Sequence, residues 1–328
     1  MNIAIEKYDA KYETSWDDFV LNKSVNGTFL QTRKFLNYHP EGRFRDASIL
    51  IMNGNNILAV VPACDTEDDG MRTFFSHKGS TFGGLILGKQ AYNITHVQAI
   101  LDELDAYLKT SNYEKAILKS TSALFSNRDM SLLDYELFKF GYDQYNELSF
   151  FVDLKNLEGD PIMAMSTSRR RDTRYAMKND FRLERLTEDE QIAEFYNILE
   201  INLQKFDAKP VHTLNELLEF KHERLQDIVD FYGIYLDGKM AAGTMLFRFG
   251  NKVLHTQYLA ALPGYQKQFP MNYLDYSLIL LAKEQKYEYF SFGISTEDRG
   301  KVLNNGLALF KEGFGSEYSV NRTYVKEF

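Results

Sequence analysis

One order of elements occurs twice in this chain, and that recurrence limits the fold more than any single motif. In the first half, a hairpin pattern at 48–61 turns at Asn53-Gly54-Asn55-Asn56 and leads into the glycine-punctuated segment 74–84. A helical stripe of Val97, Ile100, Leu101, Leu104 and Leu108 follows, then a strand from Ala116. In the second half, a hairpin at 231–249 turns at Asp237-Gly238 and a strand covers 253–261. Pro270 then opens a helix with the stripe Met271, Leu274, Leu278 and Leu281, and a last strand lies at 287–295. Hairpin, strand, helix and strand therefore repeat at an offset of about 180 residues, near half the chain.

The expected class is α/β with a mixed sheet, in two similar domains. The turn Glu158-Gly159-Asp160-Pro161 separates them, giving 1–157 and 158–328. Short helices at 16–21 and 28–38 flank Gly27, and a helix at 132–140 stops at Gly141 before a strand at 148–154. Thr187 with Glu190 and Thr213 with Glu216 read as capping boxes. The first opens a helix with Ile192, Phe195, Tyr196, Leu199, Leu203 and Phe206 on one face.

Composition narrows the chemistry. With 21 Tyr and 25 Phe the chain favours sheet and partly polar pockets over a bare helical bundle. No apolar run approaches the ~20 residues of a bilayer span, and the N-terminus is too charged for a signal peptide, so a cytoplasmic protein with no integral membrane segment is expected. The single cysteine, Cys64, excludes an intrachain disulfide and reads as a buried structural thiol. No histidine pair has ligand spacing with a carboxylate, so no metal is expected. The net charge of −8 argues against DNA and against broad nucleic-acid binding. Against that average, Arg170, Arg174 and Lys178 would stack on one helical face, which is either a solvated face or an anion site.

The strongest functional signal is the stretch 287–315, where a strand alternation runs into a polar loop and a short helix ending in glycine. On the strand 253–261, His255 and Gln257 share one face opposite Thr256 and Tyr258, so His255 is either a base facing a cleft or a hydrogen-bonded, semi-buried residue. His212 stands one residue before a helix N-cap and is either a donor or base, or a hydrophobic-staple residue. His77 lies where missing side chains let a ligand approach the backbone. Glu297, just past the strand end, is a further candidate base. No Gly-x-Ser-x-Gly elbow or Walker loop is present.

Taken together, Ser76-His77-Lys78-Gly79 with Phe82-Gly83-Gly84, Lys209-Pro210-Val211-His212-Thr213, His255-Thr256-Gln257-Tyr258, Phe292-Gly293-Ile294-Ser295-Thr296-Glu297, Leu303-Asn304-Asn305-Gly306-Leu307 and Lys311-Glu312-Gly313-Phe314-Gly315 give the chain a family likeness. It resembles the tandem GNAT-fold acyltransferases of the Fem type, in particular acetyltransferase-like proteins of bacterial surface-polysaccharide gene clusters. The resemblance implies two tandem GNAT-like domains and transfer of an acyl group to an amine. The second domain would carry the donor and catalytic site, and the first would help frame the acceptor.

The implied catalytic residues are His255, Glu297, Tyr258 and His212, with His77, Lys78, Gln257, Ser295, Asn304, Asn305 and Lys311 on the substrate. Acyl-CoA, with acetyl-CoA foremost, is the implied co-substrate. It would be held near Gly264, Gln266, Lys267, Met271 and Asn272, although the two-glycine phosphate loop of ordinary GNAT enzymes is absent. The acceptor would be a small amine of an envelope or polysaccharide precursor. A rival donor is aminoacyl-tRNA in a peptidoglycan-precursor ligase, which the acidic balance disfavours. A third reading is a non-catalytic binding protein on the same fold.

Overall fold

Chain reversals occur where glycine permits a positive φ, as at Gly54 (+58°) and Gly238 (+75°) in the two expected hairpin turns. The computed structural model describes residues 3–40, 42–205 and 207–328, so Phe206 of the expected helical face lies outside the described residues. Packing divides the chain into two units, Met1–Glu147 with Val320–Phe328, and Leu148–Ser319.

In the first unit, β1 (Ile49–Asn53) and β2 (Asn56–Val61) form the antiparallel hairpin. Then come β3 (Met71–Ser76), α1 (Ile94–Thr110) and β4 (Lys115–Lys119). Val97, Ile100, Leu101, Leu104 and Leu108 of α1 are buried in the unit's core, which lets the helix cover the sheet and return the chain for parallel pairing of β3 with β4, from Thr73↔Lys115 to Ser76↔Leu118. The expected helix at 28–38 breaks at Thr32, which is extended and caps the Phe35 amide, leaving a 3-10 turn Phe29–Gln31 and one helical turn Arg33–Leu36. Cys64 is buried, and burial raises its pKa, in keeping with a structural thiol.

The other neighbour of β4 is the end of the chain, paired antiparallel from Thr323↔Lys119 to Glu327↔Lys115. Tyr324 is 1 % exposed within the first unit's core, and its hydroxyl donates to Asp134 Oδ1 at 2.6 Å. The last nine residues therefore pack with the first unit. The chain passes into the second unit between Glu147 and Leu148, ten residues before the turn that sequence marks, because one strand, Asp143–Asp153, runs through that point.

The second unit uses the later part of that strand, β5, followed by α2 (Thr167–Ala176), α3 (Asp189–Gln204), β6 (Val229–Leu236), β7 (Lys239–Phe249), β8 (Val253–Ala261), α4 (Pro270–Glu284), β9 (Tyr289–Ile294) and α5 (Asn305–Glu312). β6, β7 and β8 form an antiparallel meander. α4 crosses over so that β9 runs parallel to β8, and β9 pairs antiparallel with β5 on its other side. Leu254, Leu274, Leu278, Ile279 and Phe290 fill the core between helix and sheet.

The start of α3 differs by one residue from the capping box read at Thr187 and Glu190. Gln191 Oε1 takes both the Thr187 and Glu188 amides, at 3.0 and 3.1 Å, because its amide reaches back across the whole first turn. The Thr213–Glu216 box is present, with the Thr213 amide 2.7 Å from Glu216 Oε2. Among the described residues no helix is long and apolar enough to cross a membrane.

Because Tyr324 anchors the terminal strand, Tyr324→Ala should cost about 3–5 kcal/mol by urea unfolding, the range for emptying a large aromatic site. A loss below about 1 kcal/mol would mean that the terminal strand does not support the first unit.

Candidate active site

The geometry of the second unit turns on where β8 and β9 stop pairing. Their parallel ladder holds Val253↔Tyr289, Leu254↔Phe290 and His255↔Ser291 and ends there, although β8 continues to Ala261 and β9 to Ile294. Three local features explain the divergence. The β7–β8 register shifts so that Met245 faces Tyr258 and Leu246 faces Thr256, leaving Gln257 as the extra residue of a bulge. The β9–β5 register shifts between Ser291 and Gly293, and Gly293 takes φ +71°. At the last rung the Thr256 hydroxyl donates to the Ser291 carbonyl at 3.3 Å, a side chain standing in for the missing backbone donor.

His255 sits at that last rung. Its Nδ1 lies 3.0 Å from Ser291 Oγ, and the same hydroxyl oxygen accepts from the Gly293 amide at 3.3 Å. The direction of that bond sets the tautomer: if Ser291 donates to Nδ1, the neutral ring carries its proton on Nε2. His255 is half-buried, and burial pulls its pKa down to about 4, with the nearby Lys311 cation adding to the effect. The ring lies over Gly293, where an added Cβ would be 3.1 Å from His255 Cε1.

From α5, Lys311 reaches the end of β9 and donates to the carbonyls of Gly293 at 3.1 Å and Ile294 at 2.6 Å. It is 5 % exposed, and burial brings its ammonium down to about 8, opposed by Asp275. Ser295, next in the chain, is buried with no hydrogen-bond partner on its hydroxyl. Further along β8, Tyr258 Oη is 2.6 Å from His212 Nδ1, and the His212 carbonyl accepts from Tyr196 at 3.2 Å. His212 is buried against Phe220, and burial pushes the Tyr258 phenol up to about 12. The His212–Tyr258 pair places side by side two residues that the sequence could treat only separately.

Other expected site residues are distributed differently. Glu297 lies on a short exposed hairpin and accepts from Asn304 Nδ2 at 3.3 Å, while Asn304 caps α5 through Leu307 N at 3.1 Å and Asn305 begins that helix. In the donor loop, Gln266 Oε1 caps the Gly264 amide at 2.9 Å, and Lys267 is exposed. The Asn272 and Tyr273 amides both donate to the Phe269 carbonyl, at 3.1 and 3.3 Å. These are the ordinary first bonds of α4, which begins at Pro270. Met271 is half-buried, and Asn272 is turned inward at 3 % exposure. In the first unit, His77 is buried with its pKa down to about 4, and Lys78 donates to Thr66 Oγ1 at 2.8 Å.

The expected row of three cations on α2 does not form. Arg170 spends its guanidinium on the carbonyls of Ile162, Met163 and Met165, at 3.1, 2.8 and 3.0 Å, clamping the turn before the helix. α2 ends at Ala176, so Lys178 lies beyond it, and Arg174 and Lys178 stay exposed. Three residues of the site carry no role in the sequence reading: Ser291, Asp275 and Arg169. Only Asp275 leaves a legible signal, as a carboxylate beside Leu274 and Leu278 in an otherwise apolar stripe.

With this geometry in place, comparison with known proteins identifies its class. Residues 164–299 match the acetyltransferase (GNAT) domain family, so the second unit carries a GNAT domain. FemX superposes with a TM-score of 0.70 at 13% identity, covering 97% of this chain and 96% of that one. L-PGS from Bacillus licheniformis gives 0.60 at 13% identity over 97% and 92%. A tandem GNAT protein from the clavulanic acid biosynthesis pathway gives 0.58 at 11% identity over 99% and 98%. The chain thus has the Fem-type tandem GNAT fold. No curated protein matches it in sequence.

Gly293→Ala tests the divergence point directly, since the substitution meets both a positive φ and the His255 ring. A loss of about 1–3 kcal/mol in thermal unfolding is expected, together with a changed His255 Cε1–H chemical shift. An unchanged shift would separate the ring from this turn.

Proposed function

We propose that the chain is an N-acyltransferase that moves an acyl group from acyl-CoA to an amine of a small envelope or polysaccharide precursor, by direct attack in the slot between β8 and β9. The observation that carries this reading is the ladder that stops at His255↔Ser291 beside Lys311, whose ammonium is fixed by two strand-end carbonyls.

In this mechanism the amine nitrogen attacks the thioester carbonyl, and the carbonyl oxygen takes up negative charge. Lys311 uses two of its three N–H donors on carbonyls. The third, with His255 Nε2–H, faces that oxygen and stabilises it. Glu297 receives the proton that the attacking nitrogen loses. When the tetrahedral intermediate collapses, the carbon–sulfur bond breaks and the Tyr258 hydroxyl, backed by His212, returns a proton to the thiolate. Gln257, Ser295, Asn304 and Asn305 line the acceptor side. Gly264, Gln266, Lys267 and Met271 hold the donor's phosphates.

Placing this chemistry in the cytoplasm fits an acyl-CoA donor. The rival donor is aminoacyl-tRNA, since the loop before α4 holds one glycine, Gly264, in place of the two-glycine phosphate loop of ordinary GNAT enzymes.

Thermal melting separates the two donors, because only a ligand that binds the native state raises the midpoint. Acetyl-CoA and CoA at millimolar concentration should each raise it, by an amount set by the ratio of concentration to Kd. No shift with either would remove the acyl-CoA reading. Once turnover is in hand, Lys311→Met should lower kcat by about 10²–10³, as for loss of one oxyanion donor. Since the protonated ammonium is the active form and its pKa is about 8, wild-type kcat/KM should fall as pH rises through that value. A rate that climbs steadily to pH 9 would contradict the role given to Lys311.

A further inference from the structure

The first unit holds a cleft that shares no residue with the acyl-transfer reading. Three stretches wall it: the turn Phe19–Lys23 that continues the helix Glu13–Asp18, the end of the first hairpin turn from Asn55 to Leu58, and residues 88–91. Its volume of about 490 Å³ falls within the ~300–1,000 Å³ of small-molecule sites. Backbone bonds tie the walls to one another. The Gly88 amide donates to the Leu58 carbonyl at 2.8 Å, and the Lys89 amide donates to the Lys23 carbonyl at 2.8 Å. Glycine is needed at that junction, since a Cβ at Gly88 would come within 3.0 Å of the Leu58 carbonyl oxygen and 3.1 Å of the Phe19 ring. The cleft is therefore a fixed part of the fold.

Its lining sorts by chemistry. Phe19, Leu58 and Ala91 form an apolar floor, each buried in the unit. At the rim stand Asn55, Asn56 and Gln90, all exposed, and none of their carboxamides bonds to another described residue. Each carries a carbonyl acceptor and an NH₂ donor in one plane, a pairing that neighbouring hydroxyl groups can return. The charge at the rim is positive. Lys89 Nζ donates to the Asn22 carbonyl at 2.8 Å, which is a neutral partner, and no described carboxylate pairs with it. Two of its three N–H donors remain for a ligand. Lys23 adds a second ammonium, held 2.6 Å from Asp18 Oδ2. Among the described residues no carboxylate lines the cleft, in a chain whose net charge is −8.

We propose that this cleft binds an anionic sugar. Its hydroxyls meet the three carboxamides, the carbon face of its ring lies on the apolar floor, and its carboxylate or phosphate is taken by Lys89 and Lys23. A neutral sugar would leave the ammonium groups without a partner, and a bare anion would leave the carboxamides and the floor without one. The site lies wholly in the first unit and goes beyond the acyl-transfer reading, so the fate of one does not decide the other.

NMR titration of the full ¹⁵N-labelled chain tests the proposal, with glucuronate, glucose 6-phosphate, glucose and inorganic phosphate as probes. The side-chain amides of Asn55, Asn56 and Gln90 are assigned by their loss in Asn55→Ala, Asn56→Ala and Gln90→Ala, all at exposed positions. Glucuronate or glucose 6-phosphate should shift all three saturably at millimolar concentration, and the tighter of the two tells carboxylate from phosphate. Glucose and inorganic phosphate should each bind about 10-fold more weakly, and Lys89→Gln should weaken the charged sugar by a similar factor, the size expected for a hydrogen bond to a charged group. Absence of a saturable shift with either charged sugar overturns the proposal. So does inorganic phosphate that binds as tightly as the charged sugars, which would mean an adventitious ion only, and so does a Lys89→Gln variant that binds as the wild type does.

Discussion

Everything particular to the second unit follows from a parallel strand pair that is hydrogen-bonded over three residues and then abandoned. Continuing the ladder would satisfy more backbone groups, so something must make divergence the better arrangement. The bulge at Gln257 turns β8, and the positive φ of Gly293 turns β9. Ser291 then gathers the pieces at the fork: its hydroxyl meets both His255 Nδ1 and the Gly293 amide, and its carbonyl accepts from Thr256. Lys311 seals the outer end by taking the Gly293 and Ile294 carbonyls that a neighbouring strand would otherwise use. The end of the pairing is therefore built into the sheet by side chains that replace backbone partners.

Burial gives those side chains unusual electrical properties. His255 is held neutral, Lys311 is brought down to about 8, Tyr258 is pushed up to about 12 and Asp275 up to about 7. In each case desolvation is the largest cause, and it acts against whichever form carries charge. Lys311 and Asp275 are thereby moved toward neutrality, while His255 and Tyr258 are moved away from it and stay in their uncharged forms there. The first unit shares the hairpin and the parallel crossover. At the end of β3, however, Ser76 Oγ accepts from both the Gly84 and Lys119 amides, at 2.8 and 3.0 Å, stitching the departing segment down. A Cβ at Gly83 would lie 2.3 Å from the Ser76 carbonyl, so that closure depends on glycine.

Much of the fold was legible because it obeys local rules. The Asn-Gly and Asp-Gly turns, Pro270 at the start of α4 and the apolar stripes of α1 and α4 each carry their own physical signature. The repeated element order pointed to two related units. Sequence could not show that the last nine residues return to the first unit, since strand pairing across hundreds of residues leaves no local trace. The candidate site was less legible. His255, Tyr258, His212 and Lys311 stood out by residue type, but the pairing of His212 with Tyr258 and the fork at Ser291 depend on contacts distant in sequence. Arg170 misled for a simple reason: a row of cations on a helix looks like a surface patch until one of them is found bonded to three carbonyls. Asp275 shows as a carboxylate beside an apolar stripe, but its burial is recognised only once the surrounding helices are in place.

Amide hydrogen exchange with and without acetyl-CoA tests the central claim most directly, because it reads the backbone where the ladder ends. Amides of residues 257–261 and 293–295 should exchange faster than those of 253–255 and 289–291 in the free protein, and should slow when acetyl-CoA is added. Uniform protection across both strands, unaltered by the ligand, would mean that the strands enclose no slot and would contradict the account.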